Sequence, residues 1–176
     1  MSSSSVPDLT QLYRSYITAI SNFDAQPPAD WLCELVHADV IHNSRLLGVQ
    51  QYRALITSNI STPRTDITVE KLIVQGDHIS ARLRFTVPPT CNSYLGFSLL
   101  SAKDRVNMAP DGTVAERGDR SFDVFEHVTY QFAVDETDGE WKIKEVWSIA
   151  DIEPVKRNSQ QRQMYASCTP AASVPH

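Results

Sequence analysis

The sequence is poor in cysteine, carries no surplus of positive charge and contains no long apolar run. Its 176 residues include 16 Lys and Arg against 21 Asp and Glu, which gives a formal net charge of −5 at pH 7. Nucleic-acid binding requires a surplus of Lys and Arg on one face, but the nearest basic cluster, Lys156 and Arg157 followed by Arg162, is short. We therefore expect no nucleic-acid partner.

Motifs that bind metals or nucleotides, or that position a nucleophilic serine, are missing as well. Cys33, Cys91 and Cys168 are widely separated and have no zinc spacing, and they suit a reducing compartment. The five histidines form no HxH or HxxxH pair, and the sequence has no GxGxxG, Walker or GxSxG motif. The sequence predicts neither a metal site nor a cofactor.

The third absence concerns membranes and export. No apolar stretch approaches the ~20 residues that a membrane helix requires. The serine-rich start of the chain lacks the basic and apolar regions of a signal peptide. Hydrophobic residues make up 41% and charged residues 21%, as in ordinary globular domains, and the length fits one domain. We expect a soluble, cytoplasmic protein with no membrane partner.

Helical patterns dominate the first third of the chain. Residues 1–7 are predicted to be a disordered N-terminus, and Asp8 is placed to cap a first helix whose apolar residues recur at helical spacing. Residues 31–36 favour a short second helix, and a third is predicted after Gly48. Residues 40–43, between them, favour a short strand.

After Pro63 the pattern changes to strands. The predicted strands are residues 66–75, 79–87, 121–134 and 141–152. The pairs Gly76-Asp77 and Asp138-Gly139 are suited to hairpin turns between them. Helices first and strands afterwards predict an α+β fold with three N-terminal helices packed on one face of an antiparallel sheet.

Two polar segments limit this domain. Residues 101–120 are predicted to form a long surface loop or lid. Residues 155–176 have the composition of a flexible C-terminal tail. The predicted domain therefore spans residues 8–154.

Three stretches of the sequence resemble the SnoaL-like polyketide cyclase family of the NTF2-like superfamily. Residues 39–43 with Gln51-Tyr52-Arg53 are similar to the family segment dvvHNg…eeYr. Residues 122–132 are similar to its EhviYrF strand, and residues 138–151 to its dGkIvevWsxxD strand. The order and spacing of the three stretches carry the resemblance.

The chain also departs from this family pattern. Ser44 stands where the family has a glycine after the asparagine, and Gln131 stands where it has an arginine on the penultimate strand. The insertion at residues 101–120 is longer than the family leads us to expect. These departures bear on the substrate more than on the fold.

The resemblance implies a cone-shaped NTF2-like fold, with a curved antiparallel sheet, a pocket between sheet and helices, and a homodimer formed through the sheet. It implies an enzyme that needs no cofactor and uses side chains alone. Ketosteroid isomerase, scytalone dehydratase and limonene epoxide hydrolase share the fold, whereas NTF2 itself is a binding module. The fold therefore leaves the function open.

Asp151 is the first candidate for a general base. Alternation along the last predicted strand places it on the inward face with Trp147 and Ile149, where a carboxylate loses hydration and becomes a better base. In the resemblance it also occupies the position of the family's acid/base aspartate. The alternative is a carboxylate that caps a turn or pairs with Lys156 or Arg157.

His42 and His127 are the other catalytic candidates. A histidine at position 42, next to an apolar stretch, is suited to relay protons near neutral pH. Glu126 and His127 are adjacent on a strand, so only one of them enters the pocket. Alternation favours Glu126 together with Tyr130, whereas a bulge would favour His127.

Further residues are expected to bind the substrate. Trp147 would form a pocket wall and stack on a planar ligand. Tyr16 and Tyr52 would donate hydrogen bonds to an enolate oxygen, although tyrosines at helical spacing are also typical of a core. Asn43 either orients a carbonyl or caps the next turn. The expected substrate-binding residues are Glu126, Tyr130, Trp147, Tyr52, Tyr16 and Asn43.

These candidates predict a cofactor-independent isomerase or cyclase acting on a polyketide- or terpenoid-type small molecule of secondary metabolism. Asp151, with His42 or His127, would remove a proton next to a carbonyl, and Tyr or His donors would hold the enolate. One alternative is a non-catalytic module that binds a ligand or partner. Another is a dehydratase or epoxide hydrolase, which the outward position predicted for Arg82 and Arg84 disfavours.

Overall fold

The computed structural model describes residues 7–21, 30, 32–59, 66–88, 93–94, 97–98, 121–157 and 160. These residues include helices α1 (Leu9–Ser21) and α2 (Gly48–Asn59). The strands are β1 (Val36–His42), β2 (Arg45–Leu46), β3 (Asp66–Gln75), β4 (His78–Val87), β5 (Ser93–Tyr94), β6 (Phe97–Ser98), β7 (Phe122–Val134) and β8 (Trp141–Ala150).

Six of the strands form one curved, open sheet in the order β2-β1-β8-β7-β4-β3. Strands β1 and β8 run parallel, and the other neighbouring pairs of this sheet are antiparallel. Strands β5 and β6 pair with each other in a small second sheet. The predicted α+β class is confirmed, and β1 brings a strand from the helical part of the chain into the sheet.

Alternating burial along β4 shows which face of the sheet packs against the core. The buried residues of this strand are Ile79, Ala81, Leu83, Phe85 and Val87. The predicted wet face is confirmed as well, because Arg82 and Arg84 lie opposite this core and pair with Glu70 at 3.4 and 3.5 Å. Helix α1 contacts β3 and β4, and α2 contacts β1.

The first helix begins where the sequence predicts. The backbone N–H of Thr10 donates to Asp8 Oδ1 at 3.0 Å, which satisfies one of the free donors in the first turn of α1. The apolar residues of α1 face the core in a single stripe, as their spacing predicts. They are Leu9, Tyr13, Tyr16, Ile17 and Ile20.

The helix predicted at residues 31–36 is instead a single turn. The N–H of Val36 donates to the carbonyl of Leu32 at 2.9 Å and closes this turn. The chain then joins the sheet, because the N–H of Ile143 in β8 donates to the carbonyl of Leu35 at 2.9 Å. Trp31 lies outside the described residues. A further helical segment, residues 153–157, follows the sheet.

A β-bulge interrupts the pairing of β7 with β8. Gln131 pairs with Glu145, but the next residue, Phe132, pairs with Ile143. Lys144 is therefore an extra residue in β8. An extra residue of this kind bends the strand and shifts the alternation of side chains beyond it.

The bulge reverses the predicted face of the second half of β8. The residues that turn inward beyond it are Val146, Ser148 and Ala150. Trp147 and Ile149 are 50% and 76% exposed, and Asp151 is exposed just after the strand. The predicted inward position of these three residues is wrong, because a shift of one residue moves every later side chain to the other face.

The folded domain extends past the predicted boundary at residue 154. Val155 is fully buried in the core, within the helical segment 153–157. The predicted lid at residues 101–120, residues 1–6 and most of the predicted tail lie outside the described residues. No helix among the described residues is long and apolar enough to cross a bilayer.

The buried position of Val155 predicts the effect of shortening its side chain. Val155→Ala should lower the free energy of unfolding by about 2 kcal/mol, because it removes buried methyl groups and leaves a cavity. Val134→Ala is the control, because Val134 is 39% exposed and its truncation should cost less than about 0.5 kcal/mol. Urea denaturation measures both. Equal losses would place Val155 outside the core.

Candidate functional site

A cavity of about 240 Å³ lies between the sheet and the two helices. Its apolar lining consists of Ile20, Leu55, Ile56, Leu83, Phe85, Val128 and Ala150. Its polar lining consists of Tyr16, His42, Tyr52, Glu126, Tyr130 and Ser148. The described lining thus contains one carboxylate and no lysine or arginine.

Glu126 supplies that carboxylate from β7. Its neighbours across the sheet are Leu83 on β4 and Ala150 on β8, which offer no charge to stabilise it. Burial raises the pKa of the Glu126 carboxyl, and a hydrogen bond with Ser148 offsets part of this effect. A desolvated carboxylate of this kind is a stronger base than one in water.

His42 reaches the same cavity from the end of β1. The parallel pairing places it beside Val146 of β8, and its Nε2 lies 3.2 Å from Ser148 Oγ. Burial lowers the pKa of the His42 imidazole, which favours the neutral ring. His42 therefore lines the cavity, and its predicted catalytic role stays a prediction.

Three tyrosines form the part of the cavity wall nearest to α1 and α2. The hydroxyls of Tyr16 and Tyr52 are 2.7 Å apart, and the ring of Tyr130 lies 5.5 Å from that of Tyr16. Burial raises the pKa of all three phenols, so they remain protonated donors at neutral pH. Their predicted inward positions are confirmed, and so is the pairing of Tyr130 with Glu126 on one face of β7.

Asn43 is absent from the described lining of the cavity, so of its two predicted roles the position in a turn agrees with the structure and the contact with a substrate does not. It occupies the turn between β1 and β2, where Asn43 and Ser44 have φ angles of 46° and 63°. Its Oδ1 accepts from the N–H of Ser148 at 2.9 Å, and its Nδ2 donates to the Ser148 carbonyl at 3.2 Å. The side chain therefore ties this turn to β8.

Asp151 is exposed and does not line the cavity, which corrects its assignment as the general base. Its Oδ1 accepts a hydrogen bond from the backbone N–H of Glu153 at 3.1 Å. This is the turn-capping role that the sequence left open as the alternative. The bulge at Lys144 accounts for the difference, because it turns the end of β8 outward.

His127 and Trp147 also lie on the outer face of the sheet, and their predicted pocket positions are wrong. His127 is exposed because Glu126 takes the inward position of that pair, so the bulge alternative for this part of β7 does not apply. Trp147 is half exposed, and its Nε1 donates to Glu145 Oε1 at 2.7 Å. Among the described residues, no group of His, Cys, Asp or Glu side chains could hold a metal ion.

No family model and no curated protein matches this sequence, whereas solved structures do. The chain is similar to a SnoaL-like polyketide cyclase from Agrobacterium tumefaciens, at 24% identity and a TM-score of 0.57, over 86% of this chain and 98% of that one. The chain has the SnoaL-like, NTF2-like fold. The resemblance seen in the sequence is thus confirmed for the fold.

Two further solved structures are similar to this chain. A proposed SnoaL-like polyketide cyclase from Jannaschia is 19% identical, with a TM-score of 0.57, over 96% of this chain and all of that one. AclR, a proposed hydroxylase from Streptomyces galilaeus, is 13% identical, with a TM-score of 0.60, over 89% of this chain and 98% of that one. Identities this low establish the fold alone.

Ser148 is the polar residue of the cavity that sequence reasoning missed. Alternation without a bulge places it on the outer face, beside the inward positions predicted for Trp147 and Ile149. The bulge that brings it inward leaves no signal in the residues of β8. The extra residue in β8 becomes visible only in the pairing of β7 with β8.

The raised pKa of Glu126 predicts how one substitution changes stability with pH. A buried carboxyl with a raised pKa binds its proton more tightly in the folded state, so its contribution is lost as pH rises above the unfolded value of about 4.3. Glu126→Gln should therefore be more stable than the natural protein at pH 8, with the difference shrinking toward pH 4.

Thermal melts across this pH range measure the effect. Glu136→Gln makes the same change at an exposed position and serves as the control. A Glu126→Gln variant that is less stable than the natural protein at pH 8 would show that the carboxylate is well solvated or well paired.

Proposed function

We propose that this protein is a cofactor-independent isomerase or cyclase that enolises a small carbonyl compound, with Glu126 as the general base. The observation that carries this proposal is a partly buried carboxylate that shares a mainly apolar cavity with a set of protonated hydroxyl donors. Removing a proton next to a carbonyl needs both, because a base takes the proton while donors stabilise the oxygen that gains negative charge.

The position of Glu126 suits the role of base. Its carboxylate has apolar neighbours on both adjacent strands, and the described lining contains no Lys or Arg to form an ion pair that would weaken it as a base. Its raised pKa brings it closer to the pH at which it would work, where a general base is most effective.

The pair Tyr16 and Tyr52 suits the role of oxyanion donor. Their hydroxyls are 2.7 Å apart, so one of them donates to the other and the accepting hydroxyl keeps its own hydrogen for a ligand. A donor that is itself hydrogen-bonded is already oriented and needs little rearrangement during the reaction. An enolate oxygen is the ligand group that fits this donor.

The shape and lining of the cavity favour a compact, largely apolar substrate. Seven of its described lining residues are apolar, and its six polar residues lie on α1, α2, β1, β7 and β8. A ring compound of polyketide or terpenoid type with an enolisable carbonyl fits this pattern. The fold similarity to a SnoaL-like polyketide cyclase supports the same class. An epoxide hydrolase is disfavoured because the described lining has no arginine beside its single carboxylate.

Proton exchange on a simple ketone tests the identity of the base. With 2-tetralone in D₂O, the protein should accelerate the loss of the C1 protons, measured by NMR. Glu126→Gln should reduce this acceleration by about 10²–10⁴-fold, the usual contribution of a positioned general base. The matched control is Asp151→Asn, the same carboxylate-to-amide change at an exposed position, which should leave the exchange rate unchanged.

The other outcomes of this experiment oppose the proposal. No acceleration by the natural protein, or equal acceleration by Glu126→Gln, would contradict it and favour a binding module. A loss confined to Asp151→Asn would instead restore the base predicted from the sequence.

Removal of single hydroxyls tests the oxyanion donor. One of the two hydroxyls, that of Tyr16 or that of Tyr52, donates to the enolate. The Phe variant that removes this hydroxyl should lower kcat for exchange by about 10²–10³-fold. KM should change little, because the interaction strengthens only as charge develops. Tyr13→Phe is the control, since it removes a buried hydroxyl of the same helix that does not line the cavity. If all three variants retain full activity, the tyrosines are core residues only.

A further inference from the structure

Ser148 lies between the acidic and the basic side chain of the described cavity lining, Glu126 and His42. Its Oγ lies 3.2 Å from His42 Nε2. Ser148 pairs with Val128 across β7 and β8, and Glu126, two residues before Val128, lines the cavity on the same face of the sheet. A serine hydroxyl donates one hydrogen bond and accepts others, so it can accept from one neighbour while it donates to the other. Ser148 is therefore a one-residue bridge between His42 and Glu126.

We propose that Ser148 relays a proton between Glu126 and His42, and that Asn43 is the positioning residue that holds Ser148 between them. This inference rests on the proposed function, because the relay acts on the proton that Glu126 removes from the substrate.

The transfer is balanced without any further reactant. When Glu126 is protonated and His42 Nε2 is free, the carboxyl O–H passes its proton to Ser148 Oγ. The original Ser148 O–H bond breaks in the same step, and that proton goes to His42 Nε2. The products are a carboxylate, an unchanged serine and an imidazolium, so no electrons are exchanged and the total charge is constant. Glu126 is then ready to accept another proton.

The turn at Asn43 is built to hold this bridge. Asn43 pairs with both backbone polar groups of Ser148, through its Oδ1 at 2.9 Å and its Nδ2 at 3.2 Å. Its own backbone N–H donates to the carbonyl of Val146 at 2.9 Å. Since His42 is the preceding residue, the same turn determines where both the serine and the histidine lie. The left-handed φ of 46° is one that asparagine adopts more readily than most residues.

The electrostatics of the cavity favour a shared proton. Burial raises the pKa of Glu126 and lowers the pKa of His42, which brings the two proton affinities closer together. The other titratable groups that face Glu126 from α1, α2 and β7 are Tyr16, Tyr52 and Tyr130, and Tyr13, which does not line the cavity, is close enough for Glu126 to raise its pKa. Burial raises the pKa of these phenols, so they stay protonated at neutral pH. Strand β4 contributes the apolar Leu83.

Site-resolved NMR titration tests the relay without any substrate. The probes are the side-chain carboxyl carbon of Glu126 and the ring nitrogens of His42. In the natural protein each probe should report two titration steps, because groups that share a proton titrate as a pair. In Ser148→Ala each probe should report a single step, and the pKa of Glu126 should rise because its hydrogen bond is lost. Ser148→Thr keeps a hydroxyl and should restore the two steps.

Variants of the turn test the role of Asn43. Asn43→Ala should reproduce the single-step titrations of Ser148→Ala. Asn43→Asp keeps the acceptor for the Ser148 N–H but loses the donor to its carbonyl, and should give a weaker second step. Ser44→Ala changes the neighbouring residue of the same turn and should leave both titrations as they are. Circular dichroism verifies that each variant is folded.

Two results would overturn this inference. Coupled titrations that persist in Ser148→Ala would show that His42 and Glu126 interact without the serine. If the titrations are unchanged in both Asn43→Ala and Asn43→Asp, Asn43 does not position Ser148. Neither result touches the identity of the base, which the Glu126→Gln exchange experiment tests separately.

Discussion

The extra residue in β8 is the constraint on which the site depends. Because Lys144 has no partner of its own in β7, the strand shifts by one position and every later side chain changes face. Ser148 therefore lines the cavity, whereas Trp147 and Asp151, which the sequence placed in it, are exposed. One local irregularity thus decides which residues of β8 contribute to the polar lining of the cavity.

The cavity combines stabilising and destabilising interactions. Its apolar wall belongs to the same core that holds α1 and α2 against the sheet, and burial of that surface favours folding. Glu126 opposes this, because its carboxylate loses water and gains no cation among the described lining residues in return. Polar groups whose burial destabilises the fold are typical of functional sites, where a shifted pKa assists the reaction.

Much of the fold follows from patterns that are local in the chain. The apolar stripe of α1 with its Asp8 cap, the strand at residues 66–75 and the inward position of Glu126 on β7 each depend on a short run of residues, and each was predicted correctly. The turn at residues 32–35 was predicted as a helix instead. The reason is that the Leu35 carbonyl accepts a hydrogen bond from β8, which lies more than 100 positions later in the chain. Ser148 was missed for the same reason.

The sequence by itself determined the fold class, the inward face of each regular strand and a set of polar residues around a cavity. These depend on periodicity and on turn chemistry, which short segments carry whatever surrounds them. The tertiary structure alone decided that Ser148 faces the cavity beside His42 and Glu126, and that Asp151 does not. That choice depends on the register between β7 and β8, and register is a property of two strands in contact rather than of either strand alone.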